Sequence, residues 1–199
     1  GLAACAAHVD GLDGLSREWA GAEFLKLLSA SHPETALGAM EQSGVLARLL
    51  PGAGCKTVFA LSALEADPDP IMRLAAMGGE DVSKRLRLSK KQAAKLDLLR
   101  IAMGSSETIE SLAYRHGSLI AKAAVYLRSA LFETALPEGW QSAVERGSNA
   151  TFPVKARDLP ASIEGPALGR ALREMEKRWI NARFDVSKSE LLSDYLGDS

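Results

Sequence analysis

The chain has 199 residues, 47% of them hydrophobic and 25% charged, with a net charge of −1. This composition excludes a disordered or fibrous protein, and no apolar run approaches the roughly 20 residues that a membrane span requires. Cys5 and Cys55 are too few for a disulfide scaffold and favour a reducing, cytoplasmic environment. Because Gly1 opens the chain in the middle of an apolar pattern, we interpret the sequence as an internal piece of a longer protein.

Helical periodicity begins near the N-terminus and continues along the first half of the chain. Ser16 is a suitable N-cap for a helix whose apolar side includes Leu15, Phe24 and Leu28. Further short helices follow, separated by residues that break helices. The predicted breaks are Gly44, Pro51–Gly52, Asp67–Pro70, Gly78–Gly79 and Gly104.

Longer helices are predicted in the second half. Ser89 is expected to cap one of them, and a later helix carries an apolar face that runs from Ile120 to Leu131. Residues 147–153 are rich in small and turn-forming residues and are the best candidate for an internal boundary. Beyond them, Gly165-Pro166 opens another helix.

No segment carries a β-hairpin signal or a repeat of fixed period. We therefore predict an all-α fold, an irregular array of many helices without a substantial sheet. We expect three regions along the chain, at residues 1–66, 67–147 and 148–199.

Positive charge is concentrated in one window. Residues 84–100 carry seven cations and the single anion Asp97, so the window has a charge of +6 and the remaining chain −7. A solvated pair of helices explains such clustering without any function. The functional interpretation is a surface for nucleic-acid phosphates, with help from cations on the polar face of the Arg170–Arg178 helix. The predicted RNA-binding residues are Lys84, Arg85, Arg87, Lys90, Lys91, Arg170, Arg173 and Lys177.

No motif for catalysis or for a metal is convincing, so we predict no catalytic residue and no metal site in this chain. Cys5 and His8 are only two potential ligands, too few for a zinc site. Asp67 and Asp69 flank Pro68, and a proline-rich turn explains them better than a two-metal site. His116, next to a glycine, is interpreted as the end of a helix.

The N-terminal part resembles a known family. LSREWAGAEFLKLL (Leu15–Leu28) is similar to the neck motif of bacterial tRNA nucleotidyltransferases, the CCA-adding enzymes, and of their poly(A) polymerase relatives. Trp19 occupies the place of an arginine usual in the family. A helix, a Gly-Val-Leu turn and a closing Leu-Leu-Pro then follow between Pro33 and Pro51, as in the family. The residues that match the neck motif are Ser16, Glu18, Glu23 and Lys26.

The C-terminal part resembles the tail of the same family. Arg157-Asp158-Leu159 corresponds to its Lys/Arg-Asp-Leu, and residues 165–169 correspond to its Gly-Pro-x-Leu-Gly helix opening. Each of these motifs is common by itself, and the resemblance to the family is supported by their order and spacing along the chain. The residues that match the tail motif are Arg157, Asp158, Gly165, Pro166 and Gly169.

The resemblance implies that the chain is the lower neck, body and tail of such an enzyme, which hold tRNA or another RNA through phosphates and shape. The catalytic head, which works with Mg²⁺ and CTP or ATP, would precede residue 1, so the chain alone should be inactive. CCA addition and poly(A) addition both stay open, with a preference for CCA addition. The alternative is a free-standing helical protein that binds an acidic partner through residues 84–100. We also expect one carboxylate of Glu18 and Glu23 to bond inward, because the two lie some 140° apart on a helix.

Overall fold

The computed structural model describes residues 17–197, and every regular element in that range is a helix. It contains twelve α-helices, one short 3₁₀ helix and no strand; an isolated bridge joins Ala53 and Gly78. The predicted all-α class is confirmed. Within this range no helix is long and apolar enough to cross a membrane.

Six helices make up the first half. They are α1 (Arg17–Leu28), α2 (Glu34–Gln42), α3 (Val45–Leu49), α4 (Lys56–Leu64), α5 (Pro70–Met77) and α6 (Val82–Arg85). Gly44 has a φ of 76°, in the left-handed region, and separates α2 from α3 as the sequence predicts. The Asp69 side chain accepts hydrogen bonds from the backbone N–H groups of Ile71 (2.9 Å) and Met72 (3.2 Å) and so caps α5.

Six further helices follow, and the 3₁₀ helix (Ala156–Asp158) lies among them. They are α7 (Lys90–Gly104), α8 (Ile109–His116), α9 (Ser118–Phe132), α10 (Trp140–Asn149), α11 (Gly165–Asn181) and α12 (Lys188–Gly197). Ser89 and Gln92 form a capping box at the start of α7, which confirms Ser89 as the cap. Ser187 forms a similar reciprocal pair with Glu190 at the start of α12.

The largest hydrophobic core joins the first five helices to α7 and α9. Its buried side chains include Leu28, Leu37, Leu61, Leu74, Leu96 and Leu127. Arg73, with 1% of its side chain exposed, lies among them and pairs with Glu65. This core passes residue 66 without interruption, so α1–α4 hold α6 and α7 in place.

A smaller core lies between α8, α9 and α10. Gly147 of α10 packs so closely on α8 that an added Cβ would lie 2.2 Å from the Glu110 carbonyl oxygen. Residues 147–149 therefore belong to α10, and the helix ends at Asn149 instead of breaking at Gly147. The predicted helix through Ile120 and Leu131 is α9; Leu131 is 42% exposed and lies one residue before the helix ends at Phe132.

The tail has a core of its own that rests on α8. Trp179 of α11 is 4% exposed and contacts Phe184 and Phe152, with ring centroids 4.7 and 5.5 Å apart. Tyr114 of α8 meets Trp179 edge-on at 5.5 Å and donates a hydrogen bond to Glu176 at 2.6 Å. Burial and the Glu176 carboxylate raise the pKa of Tyr114 to about 12. Tyr114 thus joins the tail to the helices before it.

Candidate nucleic-acid interface

The turn between α6 and α7 is the most basic local structure of the described residues, and we call residues 84–91 the basic turn. After α6 the buried Leu86 anchors the chain. Arg87 then adopts a left-handed conformation with a φ of 50°. This conformation is uncommon for residues other than glycine and is typical of tight turns. Ser89 opens α7, so the cations lie at the end of α6, on the turn and at the start of α7 rather than on one continuous helix.

Helix α1 supports the basic turn directly. A Cβ added at Gly21 of α1 would lie 2.2 Å from the Leu86 carbonyl oxygen and 3.0 Å from the Leu86 Cα. No side chain larger than hydrogen fits between the two backbones, so glycine is required at this crossing. Residues on either side of Leu86 are therefore positioned by α1.

Four cations of the basic turn are exposed and have no hydrogen-bond or ion-pair partner among residues 17–197. They are Lys84, Arg87, Lys90 and Lys91. Arg85 differs, because its side chain is half-buried and its Nε atom is buried without a partner. Cations at the start of α7 oppose its dipole by a few tenths of a kcal/mol each. Solvent or a bound anion offsets this repulsion.

Two cations further along α7 are occupied inside the protein. Lys95 pairs with Asp69, and the Arg100 guanidinium donates to the carbonyl groups of Gly78 and Gly79. Burial lowers the pKa of Arg100. The seven cations counted in the sequence window therefore do not form one free stripe, and the free ones cluster at its N-terminal end.

The neck-motif residues lie on the outer side of α1. Glu18, Glu23 and Lys26 are exposed, while Phe24 and Leu28 face the core. Neither carboxylate has a partner in the described part of the chain, so the expected inward bond is absent among residues 17–197. The inward side of α1 is fully used by apolar contacts and by Gly21. Ser16 lies outside the described residues.

The predicted cations of the tail occupy the exposed side of α11. Arg170, Arg173 and Lys177 are all exposed, and the guanidinium of Arg173 lies 3.4 Å from the position a Cβ would take at Gly169. Helix α11, which carries these residues, packs in the tail core, and Leu86 of the basic turn packs in the largest core, so the two cationic groups are built on separate packing units.

The tail-motif residues shape the entrance to α11 and its contact with α12. Asp158 accepts a hydrogen bond from the Lys155 N–H (2.7 Å) and pairs with Lys188 at 2.6 Å, contacts that lower its pKa. Gly165 has a φ of 54°, and Pro166 follows in the first turn of α11. Arg157 is exposed. Asp158, Gly165 and Pro166 thus have structural roles. Of the five tail-motif residues, only Arg157 carries an exposed charge without a partner among the described residues.

No site for Mg²⁺ is present in the described residues. No three His, Cys, Asp or Glu side chains among them come close enough together to hold a metal ion. One carboxylate oxygen of Asp69 caps α5 and the other pairs with Lys95, so both oxygens are engaged within the protein. His116 is the last residue of α8, as predicted, and Cys5 and His8 lie outside the described residues.

A cleft next to the basic turn was missed by the sequence reasoning. It has a volume of about 810 Å³, and Lys91 on α7 and Lys122 and Tyr126 on α9 are among its lining residues. The signal was available, since Leu119, Lys122 and Tyr126 are spaced by three and four and share one side of a helix. Only the fold brings that side to face α7.

Comparison with known families gives one match. Residues 2–55 match the family described as "Probable RNA and SrmB- binding site of polymerase A". A search of curated proteins gives no match to the chain. The matched region includes α1, whose Gly21 supports the basic turn. This match to an RNA-binding region of polymerase A supports the interpretation that the chain is a C-terminal part of a poly(A) polymerase or CCA-adding enzyme.

Proposed function

We propose that this chain grips tRNA for a template-independent nucleotidyltransferase, and that CCA addition is the reaction of the whole enzyme. In this proposal the helices described above hold the RNA. A separate catalytic head, with Mg²⁺ and CTP or ATP, extends its 3′ end. The head and its metal have no counterpart among the described residues, so no chemical step is assigned to this chain.

The observation that supports the proposal best is the position of the basic turn. Four exposed cations without partners lie on a segment that packs, through Leu86, directly on α1. That helix is part of the region matched by an RNA-binding family. Free cations next to such a region favour an RNA contact over a merely solvated surface.

Phosphate contact fits the residue types better than base recognition does. Three of the four free cations are lysines, which act as point charges on flexible stems and carry no fixed geometry for a base edge. A-form RNA is recognised mainly by shape, phosphates and 2′-hydroxyl groups. The α11 cations, on a separate packing unit, offer a second contact to a partner as large as tRNA.

A binding titration tests the proposal. Four substitutions to Gln, at Lys84, Arg87, Lys90 and Lys91, remove the free charges and spare the half-buried Arg85. Each phosphate contact contributes about 0.7–0.9 to the slope of log K against log salt concentration. The quadruple variant should therefore bind a tRNA transcript more weakly, with a slope flatter by about 3 units if all four contacts exist.

The matched control removes the same charge elsewhere. Its four substitutions to Gln are at Lys56, Lys155, Arg183 and Lys188, all exposed, of which Lys56 and Lys188 form surface ion pairs with Glu133 and Asp158. It should bind tRNA with nearly the affinity and salt slope of the wild-type chain. Equal weakening in both variants would mean that only net charge matters, and unchanged binding in the first variant would show that the RNA surface lies elsewhere.

A further inference from the structure

The cleft beside the basic turn has two walls of different chemistry. One wall is the loop at residues 65–69 with the first residues of α5, together with the start of α7, including Lys91 and Lys95. The other is the side of α9 that carries Lys122 and Tyr126, extended by Trp140 at the start of α10. Its volume of about 810 Å³ is within the range of about 300–1,000 Å³ typical of ligand pockets.

The acids that line the cleft are mostly engaged with other groups. Glu65 is paired with the buried Arg73, and Asp69 caps α5 and pairs with Lys95. These contacts neutralise both carboxylates within the protein. Asp67 is the exposed acid that remains.

The cations of the cleft are free by comparison. Lys91 and Lys122 are exposed and have no hydrogen-bond or ion-pair partner in the described part of the chain. The uncommitted charges of the cleft therefore favour an anion. Lys91 also belongs to the basic turn, so a chain of phosphates bound there would reach the cleft without a gap.

The aromatic residues of the cleft offer a stacking surface. Tyr126 and Trp140 meet edge-to-face with centroids 5.6 Å apart and an interplanar angle of 68°, and both are only partly buried. Leu119, with 80% of its surface exposed, lies on the same wall. Trp179 in the tail core, by contrast, is 4% exposed and has no face available. Partly open aromatic rings beside free lysines are the combination that single-stranded nucleic-acid sites use.

We propose that this cleft binds an unpaired segment of RNA, with phosphates on Lys91 and Lys122 and a base against Trp140 and Leu119. The proposal rests on the RNA-binding function proposed above and adds a distinct site to it. Unpaired RNA is the expected ligand because a paired base in a duplex has its faces covered by its neighbours and cannot stack on a protein ring.

Tryptophan fluorescence tests the site directly. In a Trp19→Phe background the emitting residues are Trp140 and the buried Trp179, so a base stacked in the cleft should quench the Trp140 emission. A short single-stranded oligoadenylate should quench it, whereas a fully paired RNA hairpin with a minimal loop should not. Adding Trp140→Phe should abolish the fluorescence change.

Affinity variants separate the cleft from the basic turn. Trp140→Leu should weaken oligoadenylate binding about fivefold or more, the effect expected for loss of one stacked base. Lys122→Gln should weaken it about two- to fivefold. The matched control Lys155→Gln, also exposed and without an ion-pair partner among the described residues, should leave it unchanged. Because Lys122 is on the surface, its variant stays informative if Trp140→Leu fails to fold.

The outcomes distinguish this proposal from the broader one. Oligoadenylate binding without quenching, and unaffected by Lys122→Gln, would overturn the cleft and leave the RNA-binding function standing. Equal quenching by the hairpin would overturn the preference for unpaired RNA. If the wild-type chain binds neither tRNA nor oligoadenylate, the broader function fails first.

Discussion

Arg73 is the residue on which the stability of the largest core should depend most strongly. Its guanidinium donates to the Glu65 carboxylate and to the carbonyl oxygen of Leu28 at 2.8 Å, so one buried side chain connects α1, α4 and α5. The side chains of Arg73 and Glu65 are 1% and 3% exposed. Arg73→Met keeps an apolar stem and removes the charge.

The expected loss follows from the buried carboxylate that remains. Breaking a buried ion pair by removing one partner costs about 3–5 kcal/mol of unfolding free energy. In a chain of this size each kcal/mol corresponds to about 2–4 °C, so the melting temperature should fall by about 10 °C. Arg170→Met, at an exposed site on α11, is the matched control and should cost under about 0.5 kcal/mol.

The free energy of unfolding that Arg73→Met loses should depend on pH. Burial raises the pKa of Glu65, and the Arg73 guanidinium opposes that rise. Without Arg73 the pKa rises further, and the ionised carboxylate destabilises the folded state at every pH above it. As the pH falls through the raised folded pKa, Glu65 takes up a proton and the penalty shrinks. Arg73→Met should therefore lose more stability near pH 7 than near pH 5.

Urea denaturation followed by circular dichroism measures these differences. The double variant Arg73→Met, Glu65→Leu removes both charges and should recover about 2 kcal/mol relative to Arg73→Met. It should stay less stable than the wild-type chain, because the Leu28 carbonyl has lost its donor, at a cost of about 1–3 kcal/mol. A loss below about 1 kcal/mol for Arg73→Met, a loss independent of pH, or a double variant as unstable as the single one would refute this reasoning.

Three further predictions concern packing, reactivity and catalysis. Gly21→Ala should cost about 2 kcal/mol or more by melting and also weaken tRNA binding, whereas Gly104→Ala, whose added Cβ meets nothing within 4 Å, should be neutral or stabilising. Cys55 is buried and its pKa is raised to about 11, chiefly by burial, so at pH 8 only about one thiol in a thousand is ionised. In a Cys5→Ser background Cys55 should react with a thiol reagent at the rate of unfolding, and fast labelling of Cys55 in the native chain would contradict this. Finally, the purified chain with CTP, ATP, Mg²⁺ and tRNA lacking its 3′ end should leave the RNA unextended; incorporated nucleotide in a preparation free of host enzyme would contradict this.

Local signals in the sequence predicted the helices well. Gly44, Ser89 and Ser187 act within a few residues of their position, so their roles as break or cap could be read from the neighbouring sequence. The apolar side of α11 could be read in the same way, because a 17-residue helix repeats its pattern many times. Gly147 misled the prediction, since its small size serves a helix crossing instead of a turn.

Contacts between distant segments could not be predicted. The charges of Lys95 and Arg100 look the same in the sequence as that of Lys91, yet the fold places the first two beside acceptors of α5 and its flanking turns. Arg73 is a similar case: its partner Glu65 is eight residues away, but its carbonyl acceptor at Leu28 is 45 residues away. The candidate RNA surface thus has fewer cations than the sequence suggested. It consists of those cations of residues 84–100 that are not bound to groups of the protein.

Lysine footprinting tests the central claim, that RNA is held on the basic turn, most directly. The wild-type chain is treated with an amine-acylating reagent with and without bound tRNA, and modification at each lysine is measured by mass spectrometry. We predict protection of Lys84, Lys90 and Lys91, with Lys56 and Lys155 modified equally in both samples. Two results would contradict the claim. One is protection only of Lys56 and Lys155. The other is that, in a chain saturated with tRNA, the lysines of the basic turn are modified as fully as without tRNA.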